Sequence, residues 1–497
     1  MTAQMPIAAG RAAGIGFVPA LAALALAAAA LQSLGPFNHD VAWILTGAER
    51  VLDGAVLGRD IIDPNPPLPW WLATIPVGLA RAAGLAPAAA AIAFTIIACL
   101  ASILLTRAAL IRSGSPLAGS EGFQLFAAAV LLFAPGYDFG QREHFLLIGA
   151  LPYLACVDAA VRGRWLSRGL ALGIGAFAGL AFCQKPYFLL VPIAAELWAA
   201  ARKRRIEIRP EALVLLAIGL LYAAAVLLWA PFYLSAALPE TLASYWVFDS
   251  PPTTVAARLG FAFLPLAAAA LLLRGGSGTG EAAEFLFVGA LAGAAAAALQ
   301  LKGWPYHLLP GVGLAAIGCA ALFVANGARH SMAAAAALLL IAYSTFGATL
   351  SYARAAFGEA DTAAQLGARF ARADGPVFAF NPGPRDIHPA ILAAGAEWPS
   401  PYCCLYTLPA WVRAGEAPER APAARAAALR QLAIVLARLE ARPPALIAVA
   451  DGPFKLGFGA RRFDYLAFLA RFPGFRRLMA DYAEEERIGD YRIFVRR

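Results

Sequence analysis

The apolar positions of this chain come in long unbroken blocks, not in short alternations. Runs of roughly 17–22 mostly apolar residues recur, the helix length that spans ~30 Å of hydrocarbon. The blocks fall at 14–34, 87–106, 122–136, 145–161, 169–182, 187–201, 212–230, 257–273, 283–300, 308–325 and 331–350. The period-two pattern of a membrane β-barrel does not recur. A twelfth stretch, 68–85, holds Pro69 and Pro76 and ends near Arg81. Proline disfavours a helix interior and Arg is costly in hydrocarbon, so this stretch predicts a helix lying at the interface.

The cations between the blocks choose the threading. With 68–85 kept out of the count and the N-terminus inside, 13 of the 20 basic residues before position 351 face inward, including Arg11, Arg202–Arg209 and Arg329. If 68–85 crosses, every later loop flips and only 6 remain inside. The first arrangement is the expected one: eleven spanning helices with residues 351–497 outside. That tail has strand-like runs (PVFAF, ALIAVA, YRIFV) and Arg-bearing amphipathic stretches such as 422–442, which predict a small α/β domain. The chain therefore divides into a membrane module, 1–350, with a first outer loop at 35–86, and a C-terminal domain, 351–497.

Composition agrees. The 497 residues are 61% hydrophobic and 14% charged, against about half and a quarter in soluble domains. The net charge of +9 is spread over both parts, so it fits cationic loops beside anionic lipid and does not argue for nucleic acid. Four of the six cysteines sit in apolar blocks, and Cys403 and Cys404 are adjacent in the tail; no zinc spacing exists. No Gly-rich phosphate loop or nucleophile elbow stands in a usable context, which excludes soluble nucleotide chemistry and serine hydrolysis.

Four loops gather ionisable residues on the outer face. The first runs NHDVAWILTGAERVLDGAVLGRDIIDPNPPLPWWL from Asn38; the others are GYDFGQREHF, FCQKPYF and QLKGWPYHLLP. Together they supply Asp40, Asp53, Asp60, Asp63, Asp138, Arg142, Glu143, His144, Lys185, Lys302, Tyr306 and His307. Carboxylates can take a proton from an acceptor hydroxyl, and Arg and Lys can hold phosphate oxygens. Such groups at the hydrocarbon boundary point to a lipid phosphate that reacts with a hydroxyl. Asp40 also reads as a helix N-cap, and Asp53-Gly54 as a helix end.

An early Asp, an amphipathic helix ending in Gly (AWILTGAERVLDG), a short acidic segment (GRDIIDPNPPLPWW) and a second-loop QREH resemble the GT-C fold. More narrowly, they are similar to the family 39-like polyprenyl-phosphate-sugar transferases, which include protein O-mannosyltransferases and the aminoarabinose transferase of lipid A. The resemblance is clear over about residues 15–165. It implies an all-α polytopic membrane protein with an interfacial helix at the Pro-Pro-Leu stretch. It also implies an inner-membrane glycosyltransferase with a periplasmic active face. The partners would be a polyprenyl-phosphate sugar donor, a periplasmic lipid, glycan or protein acceptor, and membrane lipid. Asp40 matches the catalytic acid, and Glu143 stands where many members have Asp. Arg142, Lys185 and Lys302 are the candidates for the donor phosphate; Asp60, Asp63, His144, Tyr306 and His307 for the rest of the substrate. Asn65 stands where many relatives place Lys or His before Pro-Pro, and Lys185 and Lys302 are the replacements at hand. No cofactor is called for, and a divalent cation is left open. The competing classes are a lipid-linked glycan ligase or polymerase, and a lipid or solute transporter.

Overall fold

A computed structural model describes residues 16–274, 280–326, 331–358 and 361–497. Arg11 and Arg329, counted above, lie outside the described residues. All eleven apolar blocks are helices. They are α1 (Phe17–Leu34), then, after α2 (His39–Leu52) and α3 (Leu68–Ala83), α4 (Pro87–Ser113), α5 (Glu121–Phe133), α6 (Arg142–Val161), α7 (Arg168–Phe182), α8 (Leu190–Lys203) and α9 (Pro210–Trp229). After a short α10 (Leu238–Ser244) come α11 (Pro252–Leu272), α12 (Glu284–Leu299), α13 (Pro305–Asn326) and α14 (Met332–Ala356). Seven of them are long and apolar enough to cross a membrane, and three more (α5, α7, α12) are shorter and apolar. This is a multi-pass membrane protein.

Burial orders the bundle. In α6, 89% of the apolar window is buried, and the helix packs against α4, α7, α8 and α13. In α9 the figure is 6%, so its leucines meet lipid instead. The first residues of α6 are Arg142, Glu143 and His144, all buried. The most enclosed helix thus presents its charged end to the outer loops.

The first outer loop folds on itself. Asn38 starts α2: its Oδ1 accepts from the amides of Asp40 (2.9 Å) and Val41 (3.1 Å). α3 packs along α2 with the two C-terminal ends together, Arg81 paired to Asp53 at 2.7 Å. Gly47 makes this approach possible, because a Cβ there would lie 2.1 Å from the Trp70 ring.

Beyond α14, residues 361–497 hold a four-stranded sheet in the order β1-β2-β4-β3, comprising β1 (Val377–Phe380), β2 (Leu446–Ala450), β3 (Tyr482–Ile488) and β4 (Tyr491–Arg496). β1 and β2 are parallel, Val377 opposite Leu446; β4 is antiparallel to both its neighbours. A parallel pair needs a crossover. Here it carries α16 (Ile387–Ala394), α17 (Leu408–Val412) and α18 (Ala421–Ala441), with α15 (Thr362–Phe370) preceding β1. The sheet's core is continuous with the outer loop: Trp43, Ile61, Ile62 and Trp70 share one apolar cluster with Phe378, Trp398 and Leu405. Polar contacts fix the same docking, as Arg50 donates to the Ser400 carbonyl (2.9 Å) and Tyr402 to Glu240 (3.0 Å).

Candidate active site

The N-termini of α2 and α6 meet through their side chains. Asn38 receives Gln141 Nε2 at 3.1 Å and donates to the Tyr137 carbonyl and to Asp138. Since Asn38 is the cap of α2, Asp40 is not. Its carboxylate turns outward from the helix and accepts from Gln141 Nε2 (3.2 Å) and Arg142 Nη2 (3.1 Å). The N-cap reading of Asp40 is thereby corrected: two candidate caps lay two residues apart, and the first one took the amides.

Burial pushes the Asp40 carboxyl up, but His39, Arg142 and the Gln141 hydrogen bond outweigh it and leave it below the ordinary carboxylate range. His39 lies 3.6 Å away, yet burial lowers its own pKa as well. His39 and Arg142 together keep Asp40 ionised, Arg142 through a direct bond.

Beside this pair lies a second. Lys185, in the turn between α7 and α8, reaches Glu143 Oε1 at 2.5 Å and Gln300 at 3.4 Å. Burial brings the Lys185 ammonium down to about 8, the Glu143 charge offsetting part of that fall. His307 Nε2 is 3.6 Å from the same Glu143 oxygen. Tyr306 lies 5.6 Å beneath Lys185. Asp40, Glu143 and Tyr306 are all within electrostatic reach of Arg142.

The loop carrying Tyr306 and His307 is shaped by its backbone. Gly303 has φ +63 and its carbonyl receives Arg258, while Ser250 bonds the Leu301 and Lys302 carbonyls. That turn sends Trp304, Tyr306 and His307 toward the site as one aromatic wall, with ring centroids 4.5–5.7 Å apart.

Several buried polar atoms in this cluster have no hydrogen-bond partner: Arg142 Nε and Nη1, Glu143 Oε2, and both nitrogens of His307. Buried polar groups are nearly always paired, so such a group of orphans marks a place prepared for a ligand.

The other sequence candidates divide. Lys302 reaches Asp249 (2.5 Å) and the Tyr245 carbonyl (2.9 Å), its ammonium 4.7 Å from the Tyr245 ring. Asp63 is buried near the site, but its oxygens accept from Trp43, the Asn65 amide and the Asn65 side chain. Asp60 faces away, toward Arg59, the Val56 amide and Arg438. His144 is inside α6, where Nδ1 accepts from the Gly140 amide (3.1 Å) and Nε2 donates to the Leu131 carbonyl (2.8 Å). Both its nitrogens are thus used in holding the second loop. Among the described residues, no three of His, Cys, Asp and Glu gather as a metal site.

Two residues join the site unforeseen. Gln141 lay in the quoted QREH motif and could have been taken from it. Tyr245, within electrostatic reach of Asp40 and Arg142, sits in ASYWVFDSPP, an aromatic stretch between apolar blocks that carried no cation to draw notice.

The sequence matches no family model and no curated protein. Among solved structures, the chain is similar to Cupriavidus metallidurans ArnT bound to undecaprenyl phosphate, with 14% identity, 97% of this chain and 98% of that chain covered, and a TM-score of 0.59. The apo state of the same protein gives 14% identity, 96% and 97% coverage and a TM-score of 0.44. At this identity the likeness speaks for the fold. It bears out the GT-C-type polytopic architecture that the first-loop resemblance implied, and the four-stranded sheet bears out the small C-terminal α/β part that the tail's strand-like runs predicted.

Proposed function

We propose that this protein is a membrane glycosyltransferase that moves a sugar from a polyprenyl phosphate to a hydroxyl. The observation that carries the reading is the guanidinium of Arg142. It is 3% exposed, holds Asp40 through Nη2, and leaves Nε and Nη1 unpaired beside the Lys185 ammonium. Two cations and an ionised carboxylate thus converge at the end of the most enclosed helix. A phosphate can take Nη2 together with one of the free N–H groups as a bidentate pair, in competition with Asp40. The fold agrees, because the ArnT it resembles was crystallised with undecaprenyl phosphate.

The chemistry follows from the charges. Arg142 and Lys185 hold the donor phosphate and stabilise it as it leaves. Asp40 takes the proton of the acceptor hydroxyl, whose oxygen attacks the anomeric carbon. The bond from that carbon to the phosphate oxygen breaks, its electron pair goes to the phosphate, and the anomeric configuration inverts. The phosphate also prepares the base: drawing Arg142 off Asp40 removes one of the charges that depress the carboxyl, so Asp40 becomes more basic when the donor is in place. The cation distribution supports a periplasmic position for this face, on a bacterial inner membrane.

The test is binding of undecaprenyl phosphate to purified protein by native mass spectrometry. The wild type retains the lipid, while Arg142→Met and Lys185→Met each lose it at unchanged expression and melting temperature. Equal retention by all three refutes the phosphate site.

A further inference from the structure

A phosphate accounts for only some of the unpaired atoms. Arg142 Nε and Nη1 are donors and suit an anion. Glu143 Oε2 is an acceptor on a fully buried carboxylate, and no phosphate oxygen can satisfy it, because neither group brings a proton. The ligand must donate a hydrogen bond there. His307, 3% exposed and 3.6 Å from the other Glu143 oxygen, leaves two further nitrogens open. A neutral imidazole offers one donor and one acceptor, and a hydroxyl offers the same pair in return. Trp304 and Tyr306 stand 5.4 and 4.5 Å from the imidazole, inclined to it by 51° and 81°, and offer aromatic carbons beside these polar groups for the C–H face of a sugar ring.

We propose that Glu143 Oε2 and His307 form the sugar subsite and read free hydroxyls of the donor sugar. The proposal rests on the phosphate reading above, and its test separates the two. Dissociation constants are measured on purified protein for four glycosyl donors, the glucosyl, mannosyl, galactosyl and glucosaminyl phosphodiesters of undecaprenol. Methyl undecaprenyl phosphate is the sugar-free reference. At least one glycosyl donor binds about tenfold or more tighter than the reference, the scale of one or two net hydrogen bonds. His307→Phe removes that gain while leaving the reference constant unchanged, and His307→Gln, which restores a donor and an acceptor, recovers it. The proposal is overturned if no glycosyl donor exceeds the reference, or if His307→Phe weakens the reference equally. If the reference does not bind at all, the phosphate reading fails first and takes the sugar subsite with it.

Discussion

Replacing Asp40 by Asn separates catalysis from donor binding in opposite directions. The fold should hold, because Asn38 and not residue 40 caps α2. An amide oxygen at position 40 can still accept from Gln141 and Arg142 at similar distances. What is lost is a proton acceptor and a charge. Without a base, transfer falls by ~10²-fold or more. Donor binding moves the other way. In the wild type a phosphate must compete with Asp40 for Arg142 Nη2, at 3.1 Å. A hydrogen bond between charged partners is worth about 1.5–3 kcal/mol net, and some of it survives with Asn. With Asp40 also 20% exposed to screening solvent, about 1–2 kcal/mol of competition is relieved. The variant therefore binds undecaprenyl phosphate about 5- to 30-fold tighter. Titration of the lipid into purified protein gives the affinity, and mass spectrometry of product lipids gives the rate. Weaker lipid binding in Asp40→Asn, or turnover within tenfold of wild type, refutes the coupling of base to phosphate site.

Three further outcomes follow from the geometry. Because burial lowers Lys185 to about 8, its charge is present below that pH and lost above it. Donor affinity should decline as pH rises through about 8, and Lys185→Arg should flatten the decline; a wild-type affinity constant from pH 7 to 9 contradicts the assignment. Asn38→Ala removes the α2 cap together with the bonds to Gln141, Tyr137 and Asp138. It should cost about 0.5–2 kcal/mol in thermal unfolding and lower transfer by displacing Asp40. A periplasm-dependent reporter should be active after Arg497 and silent near Arg205; the reverse pattern overturns the topology and the outward site together.

The helices were the most legible part of the chain. Apolar blocks of spanning length have few alternatives, and all eleven are helical. The exact ends were less legible. The pattern stops at 350 because Tyr352 and Arg354 break the apolar run, yet α14 continues to Ala356. Tyr352 is buried, its hydroxyl donating to Gln32 of α1, so a tertiary contact extends the helix. The tail's strands could be read from their β-branched and aromatic runs. Its seat on the first outer loop could not, because Trp43 meeting His388 (4.7 Å) depends on two segments 345 positions apart.

The site shows where such reading ends. Residue types were recoverable: Asp40, Arg142, Glu143, Lys185, Tyr306 and His307, drawn from four loops, do lie together. Which of several similar groups faces the centre was not recoverable, because that depends on partners brought by other segments. Lys185 and Lys302 look alike in sequence, each following a glutamine or leucine at the end of an apolar block. Lys185 meets Glu143 and joins the cluster; Asp249, from a stretch with no ionisable neighbour, takes Lys302 instead. The same logic divides the acids. Asp63 is taken by Trp43 and Asn65, and Asp60 by Arg59, whereas Asp40 is held by an arginine that has open N–H groups on its other side. A carboxylate with a shared, incompletely satisfied cation can be released by an incoming phosphate. One whose partners are its own neighbours in the chain cannot. The state of the partner, rather than the identity of the acid, is what selects Asp40.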